Sequence, residues 1–335
     1  MAESRLDVLS VGDVVTDAFI KLLDDQAKVE KTHEAARLSM AYGSKLPFDH
    51  ATVVPAVGNS SNASVAFARL GLKSGLVSNI GDDTNGRDIV SALTKAGVDR
   101  RFVHINPRKK SNYHYVLWYK DDRTILIKHE EYDYRWPRFR EIDIPKWVYF
   151  SSISRGAMDY HDDIADWLEA QPDVKLAFQP GTFQLEAGAS RLKKIYARSE
   201  VLAVNREEAA LIVGGHHEEL HQLLDKLHEL GPRVVLISDG HNGAYASDGT
   251  NRYKMPIYPD LKPPYDRTGA GDAFTSTFVG AVIKGADIAG ALLWAPINAM
   301  SVVQKVGAQA GLLSEREIEH FLRIAPESYH PERLR

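Results

Sequence analysis

The residues best suited to chemistry form one string near the C-terminus, Asp266-Arg-Thr-Gly-Ala-Gly-Asp-Ala-Phe274. In it, Thr268 precedes the small-residue turn Gly269-Ala270-Gly271, and Asp272 opens an apolar helical stretch. Such a turn exposes backbone N–H groups at the positive end of a helix, and glycine lets a phosphate approach without a Cβ in the way. A carboxylate beside this anion site can accept a proton from an attacking hydroxyl. The string therefore indicates phosphoryl transfer, with a glycine turn and an N-capping aspartate as the structural alternative.

A second motif, Asn205-Arg-Glu-Glu208, follows a strand predicted over Val201–Val204 and opens a helix. Its oxygen-bearing side chains suit Mg²⁺, which keeps several waters and takes few protein carboxylates. Taken alone, the motif favours a plain helix start with an acidic first turn, and only beside the glycine string does the magnesium interpretation become the better one.

Two further motifs lie in the N-terminal half of the chain. Gly12 and Asp13 interrupt the first apolar run, and Asp17 follows four residues later; aspartates here either bind a ligand or form a turn. The segment Gly58-Asn59-Ser-Ser-Asn62 then precedes a helical apolar pattern. From the residues alone, the first apolar run is predicted as a buried strand that ends where a ligand could approach.

The elements that must position these residues follow a β-α-β-α rhythm. Short β-branched runs are predicted as strands near residues 75–80, 147–151, 174–178, 200–204 and 233–238, and helical patterns lie between them. This alternation is typical of an α/β fold with a mostly parallel sheet flanked by helices. Residues 21–45 have partly helical propensity and interrupt the pattern as a peripheral element.

The rhythm changes between about residues 101 and 133. Tyr113–Tyr119 is aromatic and β-branched, Lys120–Arg123 is predicted as a turn, and Thr124–Ile127 as a second strand. This pattern predicts an antiparallel hairpin in a small β-element attached to the main sheet.

Composition excludes several classes of protein. The 335 residues include no cysteine, which rules out disulfides, thiolate zinc sites and iron–sulfur clusters. Lys and Arg number 41 against 45 Asp and Glu, and the resulting net charge of -4 counts against a nucleic-acid partner. We find no secretory pattern and no apolar run of about 18 residues, so we expect no membrane partner and a cytoplasmic protein.

Taken together, the motifs resemble those of the ribokinase family, also called the PfkB carbohydrate kinases. The string at 266–274 is similar to the C-terminal signature of that family, and Gly58 to Gly71 is similar to its N-terminal signature, with Val57 where the first glycine usually stands. The resemblance covers nearly the whole chain. It implies one kinase domain over residues 1–335, with a ribokinase-like doubly wound sheet and a small β-sheet lid formed by parts of 15–57 and by 101–133.

The resemblance also implies a role for each candidate residue. Asp272 would be the base that accepts the proton of the substrate hydroxyl, and the amides of Gly269, Ala270 and Gly271 would stabilise the transferring phosphoryl group. The substrate would be bound by Asp13, Asp17, Gly58, Asn59 and Asn62. ATP would be bound by Asn205, Glu208, Ser238, Gly240, Gly243, Thr268 and Asn298. Glu208 would hold Mg²⁺ through water, and Asp266 could hold K⁺.

The lid of relatives often pairs with the lid of a second subunit, so the resemblance favours a homodimer. The acceptor is expected to be a small sugar. A nucleoside is the alternative, because the stretch from Gly12 to Gly58 is long and because Tyr113, Tyr115 and Trp118 could stack on a base. A non-catalytic sugar or nucleotide sensor on the same fold is the alternative from another class. A dinucleotide-dependent oxidoreductase is disfavoured, since the first strand lacks G-x-G-x-x-G.

Overall fold

The computed structural model describes residues 5–31, 36–120, 122–215 and 219–334. In chain order, the strands are β1 (Val8–Val11), β2 (Val15–Leu22), β3 (Ala27–Lys31), β4 (Ala36–Met40), β5 (Phe48–Val57), β6 (Ser74–Gly81), β7 (Asp99–Asn106), β8 (Tyr113–Tyr119), β9 (Asp122–Leu126), β10 (Trp147–Phe150), β11 (Lys175–Phe178), β12 (Ser199–Asn205), β13 (Val234–Ser238), β14 (Ala244–Ser247), β15 (Arg252–Met255) and β16 (Glu332–Leu334). The helices are α1 (Asn59–Arg69), α2 (Thr84–Lys95), α3 (Met158–Ala170), α4 (Thr182–Ala187), α5 (Lys193–Arg198), α6 (Arg206–Val213), α7 (Leu220–Glu229), α8 (Ala270–Ile283), α9 (Ile288–Val302) and α10 (Glu315–Arg323).

Within the described part of the chain, ten strands form the main sheet in the order β16-β15-β14-β13-β12-β11-β10-β1-β6-β7. Strand β1 pairs in parallel with β10 on one side and with β6 on the other, so the chain winds outward from β1 in both directions. Only the β13 to β16 end of the sheet is antiparallel. The prediction of a doubly wound, mostly parallel sheet is therefore confirmed.

Helices cover both faces of this sheet because its central strands are apolar on both sides. On one face, Phe67 of α1 and Phe278 of α8 pack into one cluster with Leu292 of α9. On the other face, Ile164 of α3 and Leu224 of α7 pack into a second cluster. The sheet is thus held rigidly between two cores, which fixes the ends of its parallel strands. Among the described residues, no helix combines the length and apolar character needed to span a membrane.

A second sheet of four strands has the order β5-β2-β8-β9. The pairing of β8 with β9 is antiparallel, as predicted for the hairpin. The helical propensity noted for residues 21–45 is overridden by strand pairing, because β2 continues to Leu22 and β3 pairs with β4. Residues 32–35 and 121, which belong to the predicted lid, lie outside the described residues. Residues 101–106, also expected in the lid, instead lie in β7 at the edge of the main sheet.

The inner face of this second sheet lies against the C-terminal loops of the main domain. The ring of Trp118 meets Tyr265 edge to face at 5.0 Å. A Cβ placed on Gly307 would lie 3.6 Å from Val54. The second sheet therefore covers the loops on either side of α8 and α9, where the glycine string is found.

Candidate active site

The candidate residues meet at the carboxyl ends of the parallel strands. Asp13 follows β1, Asn205 ends β12 and Ser238 ends β13. The reversal of strand order falls between β1 and β10, and open α/β sheets bind ligands in the crevice at such a point. Asp13 spans this crevice, since its Oδ2 accepts a hydrogen bond of 2.9 Å from the amide of Ser154, which follows β10.

The glycine turn has the backbone that its sequence predicts. Gly269 caps α8 with φ of +79°, and a Cβ there would lie 2.1 Å from the Cβ of Ala308, so no larger residue fits. A Cβ on Gly271 would meet no atom within 4 Å, so the space beside this residue is open. The first amides of a helix have no acceptor within the helix. The start of α8 therefore offers backbone donors next to open space, which is what an anion needs.

Asp266 holds this turn in place. Its Oδ1 accepts hydrogen bonds from the amide of Thr268 at 2.9 Å and from the Thr268 hydroxyl at 2.7 Å. Its Oδ2 accepts one from the amide of Gly307 at 2.8 Å. Both oxygens are thus engaged in joining two loops, and Thr268 acts within this junction.

Asp272 lies in the first turn of α8. Its Oδ2 accepts a hydrogen bond of 2.8 Å from the amide nitrogen of Asn62, and its Oδ1 accepts one of 3.3 Å from Gln179. Burial raises the pKa of the Asp272 carboxyl, while the hydrogen bonds from Asn62 and Gln179 lower it. A carboxylate with a raised pKa that stays hydrogen-bonded is suited to accept a proton.

Three residues of this network escaped the sequence analysis. Gln309 donates to Asn62 Oδ1 at 2.9 Å and to the Ala56 carbonyl at 2.7 Å, and the hydroxyl of Tyr149 donates to Gln179 Oε1. Gln179 could have been identified from the sequence, because it directly follows a predicted strand and precedes Pro180-Gly181. No sequence pattern marked Gln309 or Tyr149 as site residues, since they reach the site only through chain folding.

A cavity of about 240 Å³ adjoins the glycine turn. Ser238, Gly240 and Gly243 line one side of it, and Ala270 and Gly271 line its end. The rest of its wall is mostly apolar and includes Ile257, Tyr258, Phe274, Pro296, Ala299 and Met300.

Asn298 differs from the expectation that it contacts the nucleotide. It is fully buried and is not among the residues lining this cavity. Its amide donates to Thr277 at 2.7 Å and accepts from the amide of Leu313 at 2.9 Å. The helical turn of α9 directs Ala299 and Met300 to the cavity and Asn298 into the core.

Asn205 and Glu208 form a capping box at the start of α6. Asn205 Oδ1 accepts from the Glu208 amide, and Glu208 Oε2 accepts from the Asn205 amide, each at 2.8 Å. Burial raises the pKa of Glu208, and the negative charges of Glu207 and Asp272 raise it further. The motif therefore begins a helix, which was the structural alternative predicted for it. It also places the half-buried carboxylate of Glu208 where the negative charge of Asp272 acts on it.

Gly58, Asn59 and Asn62 lie at the start of α1, close to Asp13. A Cβ on Gly58, whose φ is +107°, would lie 2.7 Å from the Asp13 carbonyl oxygen. Asn59 is half-buried as the first residue of α1. Among the predicted acceptor residues, Asn62 thus touches Asp272 directly, and Gly58 packs on the backbone of Asp13.

Asp17 lies on β2 directly opposite His114 of β8. Tyr113 and Tyr115, which were predicted to stack on a base, lie on the opposite face of the strand because side chains alternate along β8. Only Trp118 of the three predicted aromatic residues shares the face of Asp17.

The main sheet is doubly wound, and a glycine turn with its carboxylate lies between a cavity and a polar crevice. Together these features define a phosphotransferase of ribokinase-like fold. A family model described as pfkB family carbohydrate kinase matches residues 6–315, so the chain belongs to this family. It is accordingly an ATP-dependent kinase of a sugar or a nucleoside.

Individual relatives support the same class. The ribokinase of Bacillus subtilis (strain 168) is 27% identical over 272 residues, covering 79% of this chain and 87% of that protein. A nucleoside kinase of Methanothermobacter thermautotrophicus is 23% identical over 321 residues, covering 93% of this chain and 94% of that protein. The structure of Arabidopsis thaliana ribokinase complexed with ribose and ATP superposes with a TM-score of 0.75 at 20% identity, covering 95% of this chain and 99% of that chain. This last likeness confirms the fold.

Proposed function

We propose that this chain transfers the γ-phosphoryl group of ATP to a hydroxyl of a small sugar, with Asp272 as the base. One observation carries the proposal. The first turn of α8 contributes Ala270 and Gly271 to the wall of the cavity and Asp272 to a hydrogen bond with Asn62 on the acceptor side. A single helical turn thus lies between this cavity, where the nucleotide would bind, and the acceptor crevice.

In this mechanism Asp272 accepts the proton of the acceptor hydroxyl as that oxygen attacks the γ-phosphorus. Asn62 and Gln179 hold the carboxylate in place through their amides. The backbone amides of Gly269, Ala270 and Gly271 stabilise the negative charge on the transferring group. Catalysis then consists mostly of positioning and electrostatic stabilisation.

Mg²⁺ fits the residues on one side of this site. Glu208 is half-buried, and the negative charges of Glu207 and Asp272 raise the pKa of its carboxyl. Negative charge gathered in this way favours a divalent cation. Glu208, through water, and Asn205 are the residues that would hold the ion. Bound there, Mg²⁺ would offset charge on the phosphate oxygens.

K⁺ has weaker support at Asp266. Both of its carboxylate oxygens already accept hydrogen bonds, from Thr268 and from the amide of Gly307. Binding of K⁺ near Asp266 stays a prediction, and no step of the mechanism depends on it.

A nucleoside is the second candidate acceptor. The nucleoside kinase from Methanothermobacter thermautotrophicus aligns with 93% of this chain, a larger share than the Bacillus subtilis ribokinase does. Against it, the outward direction of Tyr113 and Tyr115 removes two of the three aromatic rings that favoured a base. We therefore keep the sugar as the leading acceptor.

We further propose a homodimer formed through the outer face of the second sheet, which would act as a lid over the acceptor. This face exposes large apolar side chains on three of its four strands, namely Val53 of β5, Tyr115 of β8 and Leu126 of β9. Apolar surface of this kind is typical of an interface. A cytoplasmic location stays a prediction.

The proposed function is tested by coupled ADP release with Mg-ATP and KCl against ribose, fructose, ketodeoxygluconate, sugar phosphates and nucleosides. Asp272→Asn is expected to bind ATP as the wild type does and to lower kcat by about 10²–10⁴, the usual contribution of a general base. Near wild-type kcat in this variant would show that Asp272 is not the base. Binding of ATP by the wild type without turnover on any acceptor would favour the alternative of a non-catalytic sugar or nucleotide sensor.

The role of Glu208 is tested by Glu208→Gln, which keeps the shape of the side chain and its capping oxygen but removes its charge. We expect turnover to require several-fold more Mg²⁺, because less negative charge faces the ion. Glu229→Gln, at an exposed residue that ends α7 and is not among the charges acting on Glu208, is the matched control. An unchanged magnesium titration in Glu208→Gln would refute the assignment.

A further inference from the structure

Two histidine–aspartate pairs lie side by side at the junction of the second sheet and β1. His114 Nδ1 is 3.4 Å from Asp17 Oδ1, and His129 Nδ1 is 3.3 Å from Asp13 Oδ2. The two imidazole rings are 5.3 Å apart. Neither histidine belongs to the motifs singled out in the sequence. The site therefore contains polar groups beyond those that the family motifs identify.

One buried polar atom of these pairs, His114 Nε2, has neither a hydrogen bond nor an ion-pair contact within the described chain. Asp17 Oδ1 and His129 Nδ1 have the ion-pair contacts given above, but they are also buried and form no hydrogen bond there. Asp17 as a whole is only 8% exposed. Leaving buried polar atoms unpaired is costly, so native proteins keep them where a ligand or water completes them. These atoms therefore indicate a polar ligand that is held by both pairs.

The surroundings of the pairs include an aromatic ring. Phe183, which follows β11, meets His129 edge to face at 6.0 Å, and Arg155 covers the Phe183 ring at 5.2 Å. Arg155 is bonded to Glu186, and Lys128, next to His129 in the chain, is paired with Glu130. Both cations are largely exposed and already neutralised, so neither is directed to the pairs.

The charge of the two pairs argues against an anionic ligand. If both imidazoles are protonated, the pairs are neutral, and if both are neutral, the pairs carry two negative charges. In neither state do they offer the positive charge that a phosphate or carboxylate requires. A hydroxyl group suits them well, since it donates to a carboxylate and both donates to and accepts from an imidazole.

We propose that His114 and His129 are specificity-determining residues of the acceptor site, and that they select an uncharged, polyhydroxylated acceptor over one bearing a phosphate or carboxylate. This inference rests on the proposed function, because it assigns these residues to the same acceptor site. It adds two residues and excludes sugar phosphates and sugar acids as preferred acceptors.

The test compares wild type with His114→Ala, His114→Gln, His129→Ala and His129→Asn. Ribose, fructose and adenosine are the neutral acceptors, and fructose 6-phosphate and ketodeoxygluconate are the anionic ones. The matched control is His104→Ala, an exposed histidine on β7. We expect each alanine variant to raise the KM of the preferred neutral acceptor about tenfold, as for a lost hydrogen bond, and to leave the KM of ATP unchanged.

The amide variants separate recognition from a structural role. Gln at position 114 places a nitrogen near the Nε2 position and Asn at position 129 places one near Nδ1, so each should recover part of the lost affinity. A purely structural role would change Tm and both KM values together. The inference is overturned if an anionic acceptor has the higher kcat/KM, or if the alanine variants leave the acceptor KM unchanged.

Acceptor binding in the presence of a non-hydrolysable ATP analogue, measured by calorimetry, distinguishes this inference from the proposed function. Suppose that the wild type binds a neutral acceptor in this measurement but shows no turnover of it with ATP in the ADP-release assay. If the alanine variants then lose that binding, the inference holds although the kinase proposal fails. If no neutral acceptor binds, the inference fails.

Discussion

At the scale of single residues, the proposed mechanism depends on the environment of one carboxylate. Burial raises the pKa of Asp272, and the amides of Asn62 and Gln179 lower it again by bonding to the ionised form. A base must be ionised to accept a proton, so these two amides keep Asp272 competent at lower pH.

Asn62→Ala is therefore expected to raise the pKa of Asp272 further, since it removes the first of these donors. The acid limb of the kcat profile should move to higher pH, and activity on the acidic side should fall more than the plateau does. Initial rates at saturating ATP and acceptor across pH measure this. Asn106→Ala is the control, because Asn106 is a buried asparagine that bonds to Asn79 and the Ile80 carbonyl, away from Asp272. An acid limb that stays in place, or moves to lower pH, would contradict the assignment.

At the scale of elements, the start of α8 combines two glycines with different tasks. Gly269 is required by packing, since its φ is +79° and its side meets Ala308. Gly271 is not required by packing, since the space beside it is open, and the proposed mechanism gives it a role at the phosphoryl group instead. Asp266 joins the turn to the loop at Gly307, so the geometry of the anion site depends on contacts between two segments distant in sequence.

Alanine substitutions at the two glycines should therefore differ in kind. Gly269→Ala is expected to lower the free energy of unfolding by about 2 kcal/mol or more, from steric overlap and backbone strain. Gly271→Ala should leave the free energy of unfolding unreduced, because alanine is favoured within a helix. It should instead raise the KM of ATP or lower kcat, because the added methyl group occupies the space beside the turn. Urea unfolding and steady-state kinetics on both variants measure this, and equal loss of stability in both would show that the turn has one role only.

The second sheet shows how an element divides its residues between two tasks. Asp17, His114 and Trp118 lie on its inner face, where Trp118 meets Tyr265 beside the glycine string. Tyr115 and Leu126 pair across β8 and β9 and are exposed on its outer face. Alternation along the strands thus separates the proposed acceptor residues from the proposed interface.

At the scale of the whole molecule, the outer face predicts the oligomeric state. Val53, Tyr115 and Leu126 are 56%, 48% and 51% exposed. Light scattering after size exclusion should give twice the chain mass of 37.3 kDa, and Leu126→Glu should give the mass of one chain. Ile324→Glu, at an apolar residue that is 58% exposed near the C-terminal end of α10, is the control and should leave the dimer intact. A wild type with the mass of one chain would refute the dimer.

Local pattern was enough for most elements of the main sheet. The hydrophobic periodicity of short segments predicted the strands at whose ends Asn205 and Ser238 lie, and the helix that the motif at Asn205 was predicted to open is α6. The glycine string predicted the start of α8, since both its backbone and its first-turn carboxylate depend on neighbours in sequence. Such features follow from the chain over a few residues, where propensity and sterics act.

Tertiary structure alone decided which side chains meet. Gln309 reaches Asn62 across 247 positions of the chain, and His129 reaches Asp13 only because the segment after β9 returns to β1. Asn298 turns into the core although its helix lines the cavity. Residues 27–31 and 36–40 pair as strands although they belong to a stretch with partly helical propensity. These outcomes depend on long-range packing and on strand register, which fix the direction of each side chain only after the sheets have assembled.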